Sequence, residues 1–316
     1  MPTNLADLSQ AQLTTAHAPT LCKLPDRHIL LVFFGREPQQ NKSALWQCTF
    51  DNNQWQSLKG VGNTTNDQHN YHNPVLYQCS EPGNNQTWLF SKIGGGPSNW
   101  RGVMQCCNDN SATFTDPLPL PKQAIGPTRN PPMLLDDGSL LIPSSSEKNF
   151  SGVVVLESIG KDDQYNVEPL GQLKNKPSGI ISIIQPAIAR ISVTHLRLWC
   201  RSNTGFLFAS DSFDGGQTFD SLYQTEIVNP NSAIAVFNDA NQYYLACNPS
   251  KTSRKALWVI KYSNNEPPKV IAKFSDNNHA LAYPALQRLD QQTLLLVFSV
   301  NQQYLDSRLI EAPLLT

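Results

Sequence analysis

One turn motif recurs along the chain at a nearly fixed interval, and this recurrence limits the possible folds more than any other feature. The clearest copy runs from Ser212 to Phe219 and reads S-F-D-G-G-Q-T-F, and poorer copies surround Asp51, Asp109 and Asp163. The aspartates of successive copies lie 58, 54 and 51 residues apart. A period of about 50 residues is typical of a chain built from repeated units such as propeller blades.

The residue types of this motif suit a tight turn between two strands. An Asp carboxylate and a Ser or Thr hydroxyl can bond the backbone groups of a turn. Glycine supplies the unusual φ, and the aromatic residue can be buried between neighbouring sheets. We therefore interpret Asp214 as a structural residue without a role in catalysis.

A second repeated feature is a short apolar segment marked by proline, which we expect to be the inner strand of each blade. Because proline cannot donate to a strand ladder, we expect it at the first residue of each inner strand. Six such segments predict an all-β, six-bladed β-propeller over residues 1–316 as a single domain. Residues just before the prolines should surround the mouth of a central channel. The six prolines are Pro19, Pro74, Pro131, Pro186, Pro230 and Pro284.

The chain ends should close the ring, because the repeat that begins near Ala280 has room for only two or three strands. Closure by chain-end strands would remove the open edges of the antiparallel array.

Composition excludes several classes of partner. The net charge of −1 and the pI of about 6.6 lack the basic surface that nucleic acids require. No apolar run reaches the ~18 residues of a membrane span. Seven cysteines without an evident signal peptide favour reduced thiols and a cytoplasmic location. No metal or phosphate-binding motif is visible, so we expect neither a metal nor a cofactor.

Several further motifs follow one another in order along nearly the whole chain. With them the sequence resembles the BNR-repeat, sialidase-like family, in its neuraminidase-related branch, and the recurring turn is similar to the Asp box of that family. The resemblance implies a glycosidase of the exo-sialidase type, or a related carbohydrate-active enzyme. The motifs are His17-Ala18-Pro19-Thr20, Ser91-Lys92-Ile93-Gly94, Gly126-Pro127-Thr128-Arg129, Cys200-Arg201-Ser202 and Tyr283-Pro284-Ala285.

The chain departs from that family at one place. Sialidases carry an Arg-Ile-Pro motif before the first inner strand, and its arginine joins two others to clamp the substrate carboxylate. Here the same place reads His17-Ala18-Pro19. We therefore expect ordinary sialidase activity to be weak or missing. Related propellers act on uronic-acid or rhamnose-containing polysaccharides with a histidine as the acid or base.

Four residues are candidates for catalysis. The imidazole of His17 could be a general acid or base, and Glu147 or Glu37 could be the proton donor. Tyr283 is the candidate for the tyrosine nucleophile of the sialidase mechanism. The alternatives are a rim histidine that bonds a loop and an aromatic residue that fills the channel mouth.

Other residues are candidates for substrate binding. Arg36, Arg129 and Arg201 lie near the top of different repeats and could bind one carboxylate together, with Lys92 adding a charge. Arg254 is interpreted as a surface residue. Each arginine could instead form a surface ion pair. The candidates for binding sugar hydroxyls or stacking on a sugar ring are Asn130, Gln185, Asn231 and Trp100.

The leading functional hypothesis is a sialidase-like glycoside hydrolase that acts on a glycan containing an acidic sugar. A catalytically inactive, lectin-like propeller and a polysaccharide lyase with a histidine acid/base are the alternatives, as is a scaffold whose rim loops bind proteins. The resemblance makes a carbohydrate the expected ligand. Propellers host many functions, so only the site can separate these hypotheses.

Overall fold

The protein folds almost entirely into β-strands. The computed structural model describes residues 4–79, 86–107, 112–147, 153–160, 165–169, 181–239, 241–264 and 266–314. Their strands form six antiparallel sheets, each built from strands consecutive in the chain. Among these residues, no helix is both long and apolar enough to cross a bilayer.

Each sheet is one propeller blade, and its first strand lies innermost. Blade 1 contains β1 (Thr15–Lys23), β2 (Ile29–Arg36), β3 (Ala44–Asp51), β4 (Gln54–Trp55) and β5 (Lys59–Gly60). Blade 2 contains β6 (Tyr71–Gln78), β7 (Thr87–Ile93), β8 (Arg101–Cys107) and β9 (Leu118–Pro119). Blade 3 contains β10 (Met133–Leu134), β11 (Leu140–Ser146), β12 (Val153–Ile159) and β13 (Tyr165–Pro169). Blade 4 contains β14 (Ile183–Arg190), β15 (Leu196–Ser202), β16 (Phe206–Ser212) and β17 (Tyr223–Val228). Blade 5 contains β18 (Ala235–Asp239), β19 (Gln242–Cys247), β20 (Ala256–Ser263) and β21 (Glu266–Ser275), and blade 6 contains β22 (Leu281–Arg288), β23 (Thr293–Val300) and β24 (Tyr304–Glu311).

The blades close into a ring, which confirms the predicted six-bladed β-propeller. The inner strand β1 contacts both β6 of blade 2 and β22 of blade 6, and β14 contacts β18. Apolar side chains fill the space between adjacent blades. Phe33 and Trp46 of blade 1, for example, share a core with Leu295 and Val297 of blade 6. Burial of these faces stabilises each blade only when its neighbours are present.

A helix lies at the chain end where we expected a closing strand. Helix α1 (Leu5–Gln12) packs against β24, and the backbone N–H of Leu305 donates to Ser9 Oγ at 3.3 Å. The side chain of Asn4 caps this helix by accepting from Ala6 N at 3.1 Å, as expected for an asparagine at that position. Blade 6 therefore has three strands, with the helix against the outermost one.

The prolines occupy a different position from the one predicted. In four inner strands proline lies inside the strand, at a β-bulge where the pairing register shifts. The bulge releases that residue from the ladder, so its missing N–H costs no hydrogen bond. The residue before each proline is left-handed, namely Ala18, Asn73, Gln185 and Tyr283, with φ of 53°, 41°, 52° and 56°. In blades 3 and 5, Pro131 and Pro230 precede the first strand.

The turn motif at Asp214 has the predicted structure, between the third and fourth strands of blade 4. Asp214 Oδ1 accepts from Ser212 Oγ at 2.8 Å and from Thr218 N at 2.9 Å, and Oδ2 accepts from Thr218 Oγ1 at 2.6 Å. At Asp51 the structure differs, because Asn52 and Asn53, with φ of 47° and 59°, form a two-residue hairpin turn. Asp109 and Asp163 lie outside the described residues.

Candidate functional site at the propeller axis

A chain of contacts links blades 1, 3, 4 and 6 at the axis. Arg201 Nη1 donates to the Tyr283 hydroxyl at 3.1 Å and to Gln185 Oε1 at 3.0 Å. Gln185 Nε2 in turn donates to Glu147 Oε1 at 3.1 Å. On the other side of Tyr283, the ring of His17 lies 4.0 Å away between ring centroids. The structure therefore brings together five of the residues proposed from sequence.

The β-bulges explain how two of these side chains reach the axis. Gln185 and Tyr283 are the left-handed residues of β14 and β22. A left-handed non-glycine residue costs about 1–3 kcal/mol and persists only where its surroundings hold it in place. Here the Gln185 backbone N–H is held by Ser145 Oγ at 3.1 Å, and Arg129 Nη2 donates to the Tyr283 carbonyl at 3.0 Å. The strain is therefore located at the candidate site.

The surroundings of Tyr283 lower the pKa of its hydroxyl. Burial alone raises the pKa of this phenol, but the charge and the hydrogen bond of Arg201, together with the charge of Arg254, lower it by a larger amount. The net effect is a pKa below the usual value. The guanidinium carbons of Arg201 and Arg129 also lie 5.8 and 5.6 Å from the centre of the Tyr283 ring. Cations around a tyrosine hydroxyl favour its deprotonation, which a tyrosine nucleophile requires.

His17 is held in its neutral form. It is 6% exposed, and burial followed by the charges of Arg129, Arg254 and Arg201 lowers its pKa to about 3. Its Nδ1 lies 2.9 Å from Ser299 Oγ, which also accepts from the Ala18 N–H at 3.3 Å. At neutral pH the imidazole therefore has no acid proton to give beyond that of its neutral tautomer, although it can accept one weakly.

Arg254 belongs to the site, although the sequence analysis treated it as a surface residue. It is half-buried in the loop between β19 and β20, and its charge acts on His17 and Tyr283. Its Nη2 donates to the carbonyl of Asn231. Burial and then the charge of Arg201 lower the pKa of Arg254, with Tyr283 opposing them. Arg254 is therefore a third arginine near Tyr283, besides Arg201 and Arg129.

Arg129 has a different position from the one expected of a carboxylate clamp. Its Nη1 donates to the Pro19 carbonyl at 2.8 Å, and its Nη2 donates to the carbonyls of Tyr283 and Pro284 at 3.0 and 2.7 Å. The side chain therefore ties the inner strands of blades 1 and 6 together. Below it, a cavity of about 260 Å³ continues along the channel between Thr20, Gln78 and Asn238.

Lys92 is buried beside the site rather than exposed in it. The side chain has no exposed surface, and its Nζ donates to the carbonyl of Pro127. Burial lowers the pKa of the ammonium group to about 7, although the charges of Glu157 and Glu147 oppose the shift. At neutral pH Lys92 is therefore charged only part of the time.

A row of rings continues from the axis toward blade 2. The centroids of Phe34 and His17 are 5.5 Å apart, as are those of Phe34 and His72, and Trp100 lies 5.7 Å from His72. His72 Nε2 lies 3.0 Å from the Gly94 carbonyl. Burial and the charge of Arg36 lower the pKa of His72, while the Gly94 bond opposes them. We name His17, Phe34, His72 and Trp100 the aromatic row.

The remaining predicted residues lie at the edges of the site. Arg36 is exposed at the end of β2, and the neighbouring Glu37 is half-buried. Asn130 is buried and donates to the Pro186 carbonyl at 3.3 Å, so its amide serves the inner strand of blade 4. Asn231 is exposed and offers Arg254 its main-chain carbonyl. None of these four takes part in the hydrogen-bonded chain from Glu147 to Tyr283.

Fold and site together define a sialidase-like β-propeller. The family model for the BNR repeat-like domain matches residues 27–297. The chain therefore belongs to the BNR repeat-like, sialidase-like family. No curated protein sequence matches the chain closely enough to count as a relative.

Solved structures share the fold at low sequence identity. The Hadza microbial sialidase Hz136 is 11% identical with a TM-score of 0.75, covering 98% of this chain and 68% of its own. The leech intramolecular trans-sialidase complexed with 2,7-anhydro-Neu5Ac is 12% identical with a TM-score of 0.73, covering 98% and 70%. The Penicillium chrysogenum α-L-arabinanase complexed with arabinobiose is 12% identical with a TM-score of 0.72, covering 98% and 97%. At these identities the likeness supports the shared fold.

Proposed function

We propose that this protein is a glycoside hydrolase that acts on a glycan containing an acidic sugar, at the site around Arg201 and Tyr283. One observation carries the proposal. Two guanidinium groups, those of Arg201 and Arg254, flank a tyrosine, and neither forms an ion pair with a carboxylate in the described parts of the chain. Buried charges are normally paired. A carboxylate on the substrate would supply the missing partner.

The binding geometry supports an anionic ligand at Arg201. Its Nη1 is fixed by Gln185 and Tyr283, while its Nε has no hydrogen-bond partner among the residues that the structure describes. A planar guanidinium presents its donors as a fork that matches a carboxylate. Gln185 and Tyr283 therefore orient the fork before the ligand arrives, which lowers the cost of binding.

We assign the chemistry to Tyr283 and Glu147. The deprotonated Tyr283 oxygen, stabilised by the two arginines, attacks the anomeric carbon, and the glycosidic bond breaks as the leaving-group oxygen takes a proton from a carboxyl group. Water then attacks the anomeric carbon, one of its protons passes to the carboxylate, and the tyrosine oxygen leaves in its deprotonated form. Glu147 is the carboxyl group assigned to that role, because it is half-buried and its charge acts on Tyr283.

The position of His17 makes ordinary sialic-acid cleavage a poor match. A neutral imidazole stands where sialidases carry the first arginine of the clamp, so one charge-assisted bond to the carboxylate is missing. Such bonds contribute about 1.5–3 kcal/mol each. We therefore propose another acidic sugar, such as a uronic acid, as the preferred substrate.

Binding without turnover is the second candidate. The hydrogen-bond partner found for the Tyr283 hydroxyl is a cation, Arg201. Glu147 reaches the site through the amide of Gln185 and makes no hydrogen bond to that hydroxyl. A lectin-like protein needs the arginines but has no need of a proton donor.

A glycan array paired with product detection tests both candidates. In an enzyme, Tyr283→Phe and Glu147→Gln should keep most of the binding and lose turnover, whereas Arg201→Ala should lose binding. In a lectin, only the arginine change should matter. Arg190→Ala is the control for the loss of a charge. Arg190 ends β14, whereas Gln185 lies near the start of that strand, and Arg190 pairs with Asp136 at 3.1 Å. Undiminished binding of acidic glycans by Arg201→Ala would refute the assigned site.

A further inference from the structure

The side chain of Ser299 bridges two consecutive residues of the first inner strand. Ser299 lies near the end of β23 in blade 6 and is 1% exposed. Its Oγ lies 2.9 Å from His17 Nδ1 and accepts from the Ala18 N–H at 3.3 Å. Ala18 is the left-handed residue of β1, where the register of the β1–β2 pairing shifts. At this bulge the Ala18 N–H lies outside the ladder, so Ser299 is free to accept it.

The hydroxyl of Ser299 decides which nitrogen of His17 carries the proton. A serine oxygen can accept hydrogen bonds, but it has only one hydrogen to donate. Because the Ala18 N–H already donates to that oxygen, the serine hydrogen needs an acceptor, and His17 Nδ1 is the one found in the described parts of the chain. With the proton on Nδ1 instead, the buried serine hydrogen would have no acceptor there, which folded proteins rarely tolerate. Nδ1 is therefore the acceptor, and the proton lies on Nε2.

The charges around His17 favour the same neutral ring. Burial, and then the charges of Arg129, Arg254 and Arg201, lower the pKa of the imidazole to about 3. In an imidazolium both nitrogens donate, so Ser299 Oγ would have to accept from Nδ1 and from Ala18 N at once. Electrostatics and hydrogen bonding thus agree on one protonation state.

The second nitrogen of the ring is left to the site. His17 Nε2 makes no hydrogen bond to the residues that the structure describes, and it is not among their unpaired polar atoms that are sealed from solvent. The ring is held by Tyr283, 4.0 Å away between ring centroids, and by Phe34, its neighbour in the aromatic row, at 5.5 Å. A ligand bound beside Tyr283 therefore meets an uncharged N–H donor that needs an acceptor.

We propose that Ser299 is a positioning residue that fixes His17 in the Nε2–H tautomer, so that His17 donates one uncharged hydrogen bond to an oxygen of the bound acidic sugar. The donor role rests on the proposed function, whereas the tautomer does not. A single neutral donor thus stands beside the guanidinium groups of Arg201 and Arg254, and it selects for the position of one sugar oxygen rather than for a second charge.

This tautomer bears on the choice between hydrolysis and elimination. In β-elimination from a uronic acid, a base takes the proton on the carbon next to the carboxylate, the glycosidic C–O bond breaks, and a carbon–carbon double bond forms. The nitrogen of His17 that is open to the ligand already carries its hydrogen, and the lone pair of the ring is directed at Ser299. His17 therefore serves recognition of the sugar rather than proton abstraction.

Nuclear magnetic resonance of protein labelled with 15N-histidine tests the tautomer. The His17 signals are those that disappear in His17→Asn, and we expect a pyridine-type Nδ1 and a pyrrole-type Nε2 at neutral pH. In Ser299→Ala both tautomers should appear. Ser210→Ala, which removes a buried serine hydrogen bond in β16, is the matched control and should leave the His17 spectrum unchanged.

The spectra can overturn the role of Ser299 while the proposed function stands. A pyrrole-type Nδ1 in the wild type would do so and would restore His17 as a candidate base. A Ser299→Ala spectrum equal to that of the wild type would show that another group sets the tautomer. The wild-type spectrum decides the tautomer even if Ser299→Ala fails to fold.

Calorimetry with glucuronic acid and with sialic acid tests the donor role. For the sugar that the wild type binds, Ser299→Ala should weaken binding about fivefold, because one neutral hydrogen bond contributes modestly, and Ser210→Ala should bind as the wild type does. The bound sugar should also shift the His17 Nε2 signal. An unmoved signal, or equal affinities of the two variants, overturns the donor role. If neither sugar binds, the proposed function and the donor role fail together, while the spectrum of the free protein still decides the tautomer.

Discussion

Acidification from about pH 7.5 to about pH 5 should destabilise the protein by about 2 kcal/mol through His17 alone. The folded protein holds this imidazole neutral, with a pKa of about 3, whereas the unfolded chain protonates it near 6.5. Between those values the unfolded state binds more protons than the folded state. Well above pH 6.5 the titration of His17 therefore leaves the free energy of unfolding unchanged, and this free energy falls progressively as the pH drops from about 6.5 toward 3.

The magnitude follows from the proton taken up on unfolding. At pH 5 the imidazole of an unfolded chain is almost fully protonated, and the free energy of that protonation is about 2 kcal/mol. Near pH 7.5 the same quantity is close to zero. The structural cause is that His17 is buried against Tyr283 with three arginines raising the cost of an imidazolium.

Urea denaturation of the wild type and of His17→Asn at both pH values isolates this contribution. Asparagine preserves a polar group near Ser299 and removes the titration, so the carboxylates and other histidines cancel in the difference. We expect the wild type to lose about 2 kcal/mol more than the variant on acidification. Curves that shift in parallel would show that the folded protein accommodates a charged His17, and the argument from burial would fall.

Three further expectations concern stability and activity. Arg129→Met should lower the free energy of unfolding by about 3 kcal/mol or more in urea, because three main-chain carbonyls lose their donor; a change as small as that of Arg190→Met would contradict this. Asp214→Ala should cost about 1 kcal/mol, since its bonds lie in an exposed turn, and glycan binding should be retained; lost binding at unchanged stability would contradict the structural role. The wild type should release sialic acid slowly from an aryl sialoside, and brisk release would refute the argument from His17.

The fold was predictable from sequence because a propeller repeats one unit, and the repeated residues survive in it. Asp214 and its turn partners have the expected structure since every bond in the motif is local. The β-bulges were not predictable in the same way. A proline in an apolar segment is compatible with the first residue of a strand and with a bulge inside it. The hairpin after Asp51 was misread because Asn52-Asn53 favours a two-residue turn more strongly than a longer one.

The site was predicted in part, for a reason that the blades make clear. Tyr283 and Gln185 precede prolines that recur along the chain, so their place at the axis followed from the repeat. Arg254 lies in a loop outside any repeated motif and was assigned to the surface. For Arg129 the sequence shows a guanidinium near the top of its repeat but not that its donors are taken by main-chain carbonyls of the inner strands.

Blade topology contains the signal that would have found Arg254. In an antiparallel blade the first strand leaves the rim that the second strand returns to, so the start of one and the end of the other lie at the same mouth of the channel. Arg201 lies next to the end of β15, Ser299 lies near the end of β23, and Arg254 follows β19 in the loop to β20. His17 lies near the start of β1 at the same mouth. Charged residues just after the second strand of a blade are therefore stronger candidates for the axis site than charged residues elsewhere, even where no motif marks them.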